Sequence, residues 1–194
     1  MSAALAPSRL AVAVAVLLAA GSGLIAAPPR AVTDLDGRAV DPLAAAVPAT
    51  VLIFTAVDCP ISDRYAPEVR RLASRFRAAG VATWIVYANA GELPAAARAH
   101  AAAFAYGLPV ALDPDGQLAT QARTAVTPEA AVFDAGGRLA YHGRIDDRHV
   151  DFGVDRPAPT THDLADAVTA VTAGVAVARP SVPAVGCAIV RHRP

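Results

Sequence analysis

The sequence predicts an α/β domain built on a central mixed β-sheet flanked by helices. Three observations carry this. Two continuous apolar, β-rich runs, Thr50-Val51-Leu52-Ile53-Phe54-Thr55 and Val81 to Tyr87, read as strands buried on both faces, as in a parallel sheet covered by helices. The stretch between them places apolar residues at helical spacing. Further on, two short β-rich runs flank a glycine-containing turn and add antiparallel strands. Strand, helix and strand in succession make crossover units, and the hairpin makes the sheet mixed.

The elements follow in order. Residues 1–27 form a unit of their own, with Arg9 ahead of an apolar run that spans residues 10–27 and small residues near Leu24-Ile25-Ala26. This is the pattern of an export signal; the other reading is an uncleaved N-terminal membrane anchor, since the run is nearly long enough to span. Either reading places the remainder in the periplasm or another extracytoplasmic, oxidising space, where a disulfide persists. No cysteine follows the run, which argues against a lipid-anchored N-terminus.

A domain is expected over residues 30–178. Val32 to Val40 reads as two short strands around an Asp36-Gly37 turn, and Thr50 to Thr55 as the first buried strand. Ile61, Tyr65, Val69, Leu72 and Phe76 mark one face of a helix that Gly80 stops and Pro67 should kink. The second buried strand follows, then an alanine-rich helix over 92–106 and a strand at 109–112. The Asp113-Pro114-Asp115-Gly116 turn precedes a short helix at 117–123. Ala130–Phe133 and Leu139–His142 make the hairpin. Thr160-Thr161-His162-Asp163 matches a helix N-cap, with the helix running to about Gly174. Residues 179–194 carry several prolines and read as an extended tail holding Cys187.

Composition narrows the function. Of 194 residues, 55% are hydrophobic and 18% charged, enough for a sizeable core and unlike a disordered chain. Formal net charge is zero, so nucleic acid is not an expected partner. The two cysteines, Cys59 and Cys187, allow one disulfide and rule out a multi-cysteine zinc site. No metal and no cofactor is expected.

Cys59 is the leading candidate for chemistry. It ends a buried strand and begins a helix, where free N–H groups and the helix dipole favour thiolate, the reactive form. Pro60 suits the first helical turn, and Ser62 offers a hydroxyl to the sulfur. Asp58 would oppose ionisation unless it points away. The competing reading is a buried, inert cysteine.

With these residues in view, the chain resembles the thioredoxin-like redoxin group, of the AhpC/TSA type. Cys59-Pro60-Ile61-Ser62 stands where thioredoxins have Cys-x-x-Cys, and Pro67 stands at the spacing of their helix-kinking proline. Val126-Thr127-Pro128-Glu129 stands where they place a cis-proline opposite the active cysteine. Gly143-Arg144-Ile145-Asp146-Asp147-Arg148, Phe152-Gly153 and Val185-Gly186-Cys187 are similar to bacterial exported redoxin-domain proteins. The resemblance implies a thioredoxin-like fold and a thiol-dependent oxidoreductase acting on protein thiols and disulfides, with an electron donor the sequence does not identify. It implies Cys59 as nucleophile, and Pro60, Thr127 and Pro128 as the substrate-side wall, with a cis Thr127–Pro128 bond. The chain departs from the pattern in two places: Ser62 replaces the second cysteine, and Ile53 replaces the buried acid. One alternative is a thiol peroxidase of the alkyl hydroperoxide reductase type, taking peroxide at Cys59. The other is a non-enzymatic domain that binds copper or docks a partner.

Cys187 is a resolving partner for Cys59, a structural staple, or an unrelated thiol. His142, His149 and His162 sit among charged or turn residues and read as solvated, while His100 and His192 read as incidental. Arg144, Asp146, Asp147, Arg148 and Asp151 read as a surface ion-pair network.

Overall fold

A computed structural model describes residues 32–191. The export or anchor reading of residues 1–27 lies outside the described residues, as does His192. Among the described residues, no helix is long and apolar enough to cross a membrane.

The first half is a pair of crossover units. Strand β1 (Ala49–Thr55), helix α1 (Pro60–Ala78), β2 (Ala82–Tyr87), α2 (Pro94–Ala103) and β3 (Val110–Leu112) follow in that order. β1 runs parallel to β2, and β2 to β3. After α3 (Gln117–Gln121) and the two-residue β4 (Val126–Thr127), β5 (Glu129–Asp134) and β6 (Leu139–Gly143) form the hairpin. β5 pairs antiparallel with β1, so the sheet is mixed. A small side hairpin, β7 (His149–Asp151) with β8 (Val154–Asp155), leads to α4 (Asp163–Thr172). This is the thioredoxin-like arrangement of a mixed sheet between helices.

The core explains why these runs form these elements. All seven residues of β1 are buried. Its side chains alternate between faces, as the strand period requires. Val51 and Ile53 pack with Tyr65, Val69, Leu72 and Phe76 of α1 and with Leu164 and Val168 of α4. Leu52 and Phe54 face the other way, onto Leu118, Ala119, Phe133 and Ile189. Helix α1 carries Pro60 in its first turn and continues through Pro67. Ile85, in the middle of β2, has no exposed surface. Shortening it to valine should cost about 0.5–1.5 kcal/mol, read as a lower urea midpoint at unchanged slope.

Four expectations need correction. Helix α2 is shorter than residues 92–106. Pro94 starts it, and the left-handed backbone at Ala105 and Gly107 follows its end. The 32–40 segment makes single bridges, Thr33 to Ala39 and Thr33 to Leu112, which attach it beside β3. Helix α4 is capped by His162 without a side-chain bond. Thr160 and Thr161 are committed elsewhere: both donate their N–H groups to Asp147, at 2.6 and 2.9 Å.

The largest correction concerns the tail, which does not trail free of the domain. Strand β9 (Ser181–Val182) pairs parallel with β6 and completes a six-stranded sheet, ordered β3-β2-β1-β5-β6-β9. Gly143 permits this, because a Cβ there would lie 2.1 Å from the Val182 carbonyl oxygen. Strand β10 (Cys187–Ala188) then pairs antiparallel with β4, Cys187 opposite Thr127.

Candidate active site

Cys59 occupies the N-cap of α1, directly after β1 and its loop. Its carbonyl accepts the Asp63 N–H at 3.1 Å, which starts the helix. The side chain has no exposed surface. As a thiol it donates to the Thr127 carbonyl oxygen at 3.0 Å. Ser62 is buried one turn on from Cys59. Its hydroxyl makes no hydrogen bond.

The Thr127–Pro128 bond is cis, as the resemblance implied. Glu129 holds the turn before it: its Oε2 accepts the Ala125 N–H at 3.1 Å. The edge of β4 is already occupied, because β10 lies on it. Of the three residues expected to line a substrate wall, Pro60 is exposed while Thr127 and Pro128 are buried.

The tail brings Cys187 to Cys59. Cys187 stands opposite Thr127, whose carbonyl holds the Cys59 sulfur, with Cys187 half-buried and Cys59 buried. Both are free thiols. Their ionisation diverges as a result. Burial opposes a charge on Cys59, but the polar side chains of Cys187, Ser62 and Thr127 around the sulfur outweigh it, and the thiol falls below its ordinary range. Cys187 is pushed up to about 12, first by burial and then by the Cys59 sulfur, with the charges of Asp58 and Asp63 adding to it. Asp58 is exposed, and its charge is felt at Cys187 and at Glu92.

C-terminal to Cys187 the tail is pinned at three points. Ile189 donates its N–H to the Ala125 oxygen at 2.9 Å and buries its side chain. Val190 donates to Asn89 Oδ1 at 2.9 Å, and its carbonyl accepts the Ala90 N–H at 2.7 Å. Arg191 reaches Thr120 Oγ1 at 2.8 Å and the Thr124 oxygen at 3.0 Å.

Glu92 escaped the sequence reading. It sits in the loop that grips Val190, and its Oε1 accepts the Val57 N–H at 2.8 Å, two residues before Cys59. Its Oε2 is buried with no partner. Burial, with Asp58 nearby, raises this carboxyl to about 7. The loop therefore holds both the Cys59 turn and the tail. No motif marks it; the only local cue is its place just before the Pro94 helix start.

The histidines also need correction. His149 is buried, paired with Asp155 and edge-on to Tyr65 at a ring distance of 4.9 Å. His142 is half-buried beside Glu129. His100 is buried between Asp63 at 2.9 Å and the Tyr87 hydroxyl at 2.7 Å. The acid and arginine cluster is not a surface network: Asp146 and Asp147 are both buried. Tyr65 donates to Asp146 Oδ1 at 2.6 Å, while hydrogen bonds from Thr160 and Thr161 hold the Asp147 carboxyl well below the usual range. These groups fasten the 144–149 loop to α1 and α4, a job that needs buried partners and that neighbouring charges in the sequence disguise. Among the described residues, no group of three or more His, Cys, Asp or Glu is placed to hold a metal ion.

Comparison with known proteins agrees with this fold. The AhpC/TSA family model matches residues 26–142. No curated protein matches the chain. Two solved structures align over 86% of it: an uncharacterized conserved protein from Geobacillus kaustophilus, at 26% identity, 90% coverage of its own chain and a TM-score of 0.73, and a hypothetical protein from Sinorhizobium meliloti, at 25%, 93% and 0.72. A secreted disulfide oxidoreductase from Mycobacterium tuberculosis shares the fold at 19% identity, covering 73% of this chain and 96% of its own, with a TM-score of 0.52.

Proposed function

Because the chain belongs to the AhpC/TSA family, a family of thiol-dependent oxidoreductases, we propose that it carries out thiol–disulfide exchange through a Cys59–Cys187 couple. The observation that carries this is the strand pairing that sets Cys187 opposite Thr127, the residue whose carbonyl holds the Cys59 sulfur, so that cysteines from opposite ends of the domain meet. The missing second cysteine of the Cys59-to-Ser62 turn is replaced by one delivered on a strand. In the oxidised state a single bond joins Cys59 to Cys187. Two external thiols reduce it, leaving as one disulfide, and the protein returns to its dithiol with the two electrons and two protons. Stabilising Cys59 as thiolate favours the reduced protein, so the couple leans toward oxidising its substrates.

Polypeptide thiols are the substrates of this reading. The hydroperoxide reading uses the same Cys59 but needs peroxide at a sulfur that has no exposed surface, so exchange is the chemistry the geometry supports better. Export belongs to the same proposal: the N-terminal pattern supports it, and one neighbour of this fold is described as secreted.

The test is mild oxidation followed by mass mapping under non-reducing conditions. The wild type should lose two thiols and gain one Cys59–Cys187 link, and should oxidise a reduced peptide dithiol. Cys59→Ser and Cys187→Ser should each form no internal link and fall to the uncatalysed rate. Two free thiols after oxidation of the wild type would overturn the proposal.

A further inference from the structure

We propose that Cys187, not Cys59, is the sulfur that meets the external thiol, so that substrate adducts form on the tail while Cys59 stays inside as the leaving thiolate. This rests on the exchange reading above and reverses the roles the sequence suggested.

Access is the first argument. Exchange requires the incoming sulfur to reach one sulfur of the disulfide along its axis. Cys59 has no exposed surface, while Cys187 is half-buried. The covering layer is the tail, since β10 lies against Thr127, whose carbonyl holds the Cys59 sulfur. Attack on Cys59 from outside would need β10 to leave. The tail is held by Ile189, Val190 and Arg191, on the far side of Cys187 from β9. It is thus anchored on both flanks, with the half-buried Cys187 between the anchors.

Beside the Cys59 turn and the tail lies a groove of about 210 Å³, bordered by Val57, Asp58, Asn89, Glu92 and Val190, with neither sulfur in its lining. Asp58 is exposed there, and its charge acts on Cys187. A thiol carried beside a positive charge is therefore the class of substrate this charge favours over an anionic one.

The chemistry agrees. An external thiolate bonds to the Cys187 sulfur, the Cys59–Cys187 bond breaks, and Cys59 departs with the electron pair. A second external thiolate then attacks the mixed disulfide and releases Cys187, which takes up a proton, while the two external sulfurs leave joined. Exchange runs faster when the departing thiol is the more acidic one. Of this pair, that is Cys59.

The experiment uses the oxidised full chain with a limiting amount of cysteamine, quenched in acid and mapped by mass spectrometry. The expected result is one cysteamine on the Cys187 peptide and a free Cys59. Cysteamine should also react faster than the anionic thiol 2-mercaptoethanesulfonate. An adduct on Cys59 with Cys187 free would overturn the inference while leaving the couple intact. Absence of a Cys59–Cys187 bond in the oxidised chain would instead remove the exchange reading, and this inference with it. Single-thiol variants give a second measure. Reduced Cys59→Ser should react with dithiobis(nitrobenzoate) in the folded state, and reduced Cys187→Ser should stay protected until denaturant is added. The opposite order would also overturn the inference.

Discussion

Alanine at position 186 should lift β10 from β4, expose Cys59 and slow formation of the Cys59–Cys187 bond, although it alters neither sulfur. A Cβ on residue 186 would lie 2.2 Å from the Thr127 carbonyl oxygen and 2.7 Å from its carbon. Both are backbone atoms on the strand that carries Cys187's partner, so no side chain can swing aside to make room. The tail must move. Overpacking of this kind costs about 1–3 kcal/mol, which corresponds to about 5- to 150-fold more of the tail-open form. Iodoacetamide labelling of Cys59 should accelerate by that factor, and disulfide formation should slow. The urea midpoint of the main sheet should move little, because Gly186 lies outside the strands that build it. Unchanged labelling and unchanged disulfide formation would show that β10 does not control access to Cys59.

That result depends on a contact the sequence could not display. β1, β2 and α1 were legible because burial leaves a period: continuous apolar runs for strands covered on both faces, and spacings of three and four for a helix with one buried stripe. The hairpin of β5 and β6 was legible from its glycine turn. β9 and β10 are two residues each, Ser-Val and Cys-Ala, too short to show any period. What places them is the complementary surface they meet, Gly143 for one and Thr127 for the other, each far away in the chain. The candidate site divides the same way. Cys59 and Ser62 were readable because they sit where a buried strand gives way to a helix, and Thr127 and Pro128 only through the family resemblance. The position of Cys187 was not, since spacing along a chain does not fix distance across a fold.

Buried charge was the other blind spot. His149, Asp146 and Asp147 sit among arginines and acids, which in sequence looks like a solvated face. Burial becomes tolerable because each group meets a partner from another element: Tyr65 for Asp146, Asp155 and Tyr65 for His149, Thr160 and Thr161 for Asp147. Such pairing offsets part of the cost of burying them, although Asp146 Oδ2 and His149 Nε2 stay without a partner. Composition alone could not reveal it.

Glu92 gives the second large effect, and its sign follows from its ionisation. Burial raises the carboxyl from 4.5 to about 7, with the exposed Asp58 charge adding to the rise and the Val57 and Asn89 N–H groups opposing it. Between those pH values the folded chain holds a proton that the unfolded chain has released. Stability therefore falls as pH climbs through that window, and the full cost is present above pH 7. Glutamine keeps an oxygen for the Val57 N–H and carries no charge. Glu92→Gln should match the wild type near pH 4 and exceed it by about 2 kcal/mol at pH 8, allowing for partial exposure of the group. Urea unfolding at the two pH values reads this directly. A variant equally stable at both, or less stable at pH 8, would mean that Glu92 ionises without penalty. The Val57 bond is what ties this carboxyl to the Cys59 turn. If glutamine preserves it, the Cys59–Cys187 couple should keep its equilibrium with a glutathione buffer near pH 5, where neither form of residue 92 is charged. A displaced equilibrium at that pH would instead mean that the carboxyl proton itself takes part in balancing the two thiols.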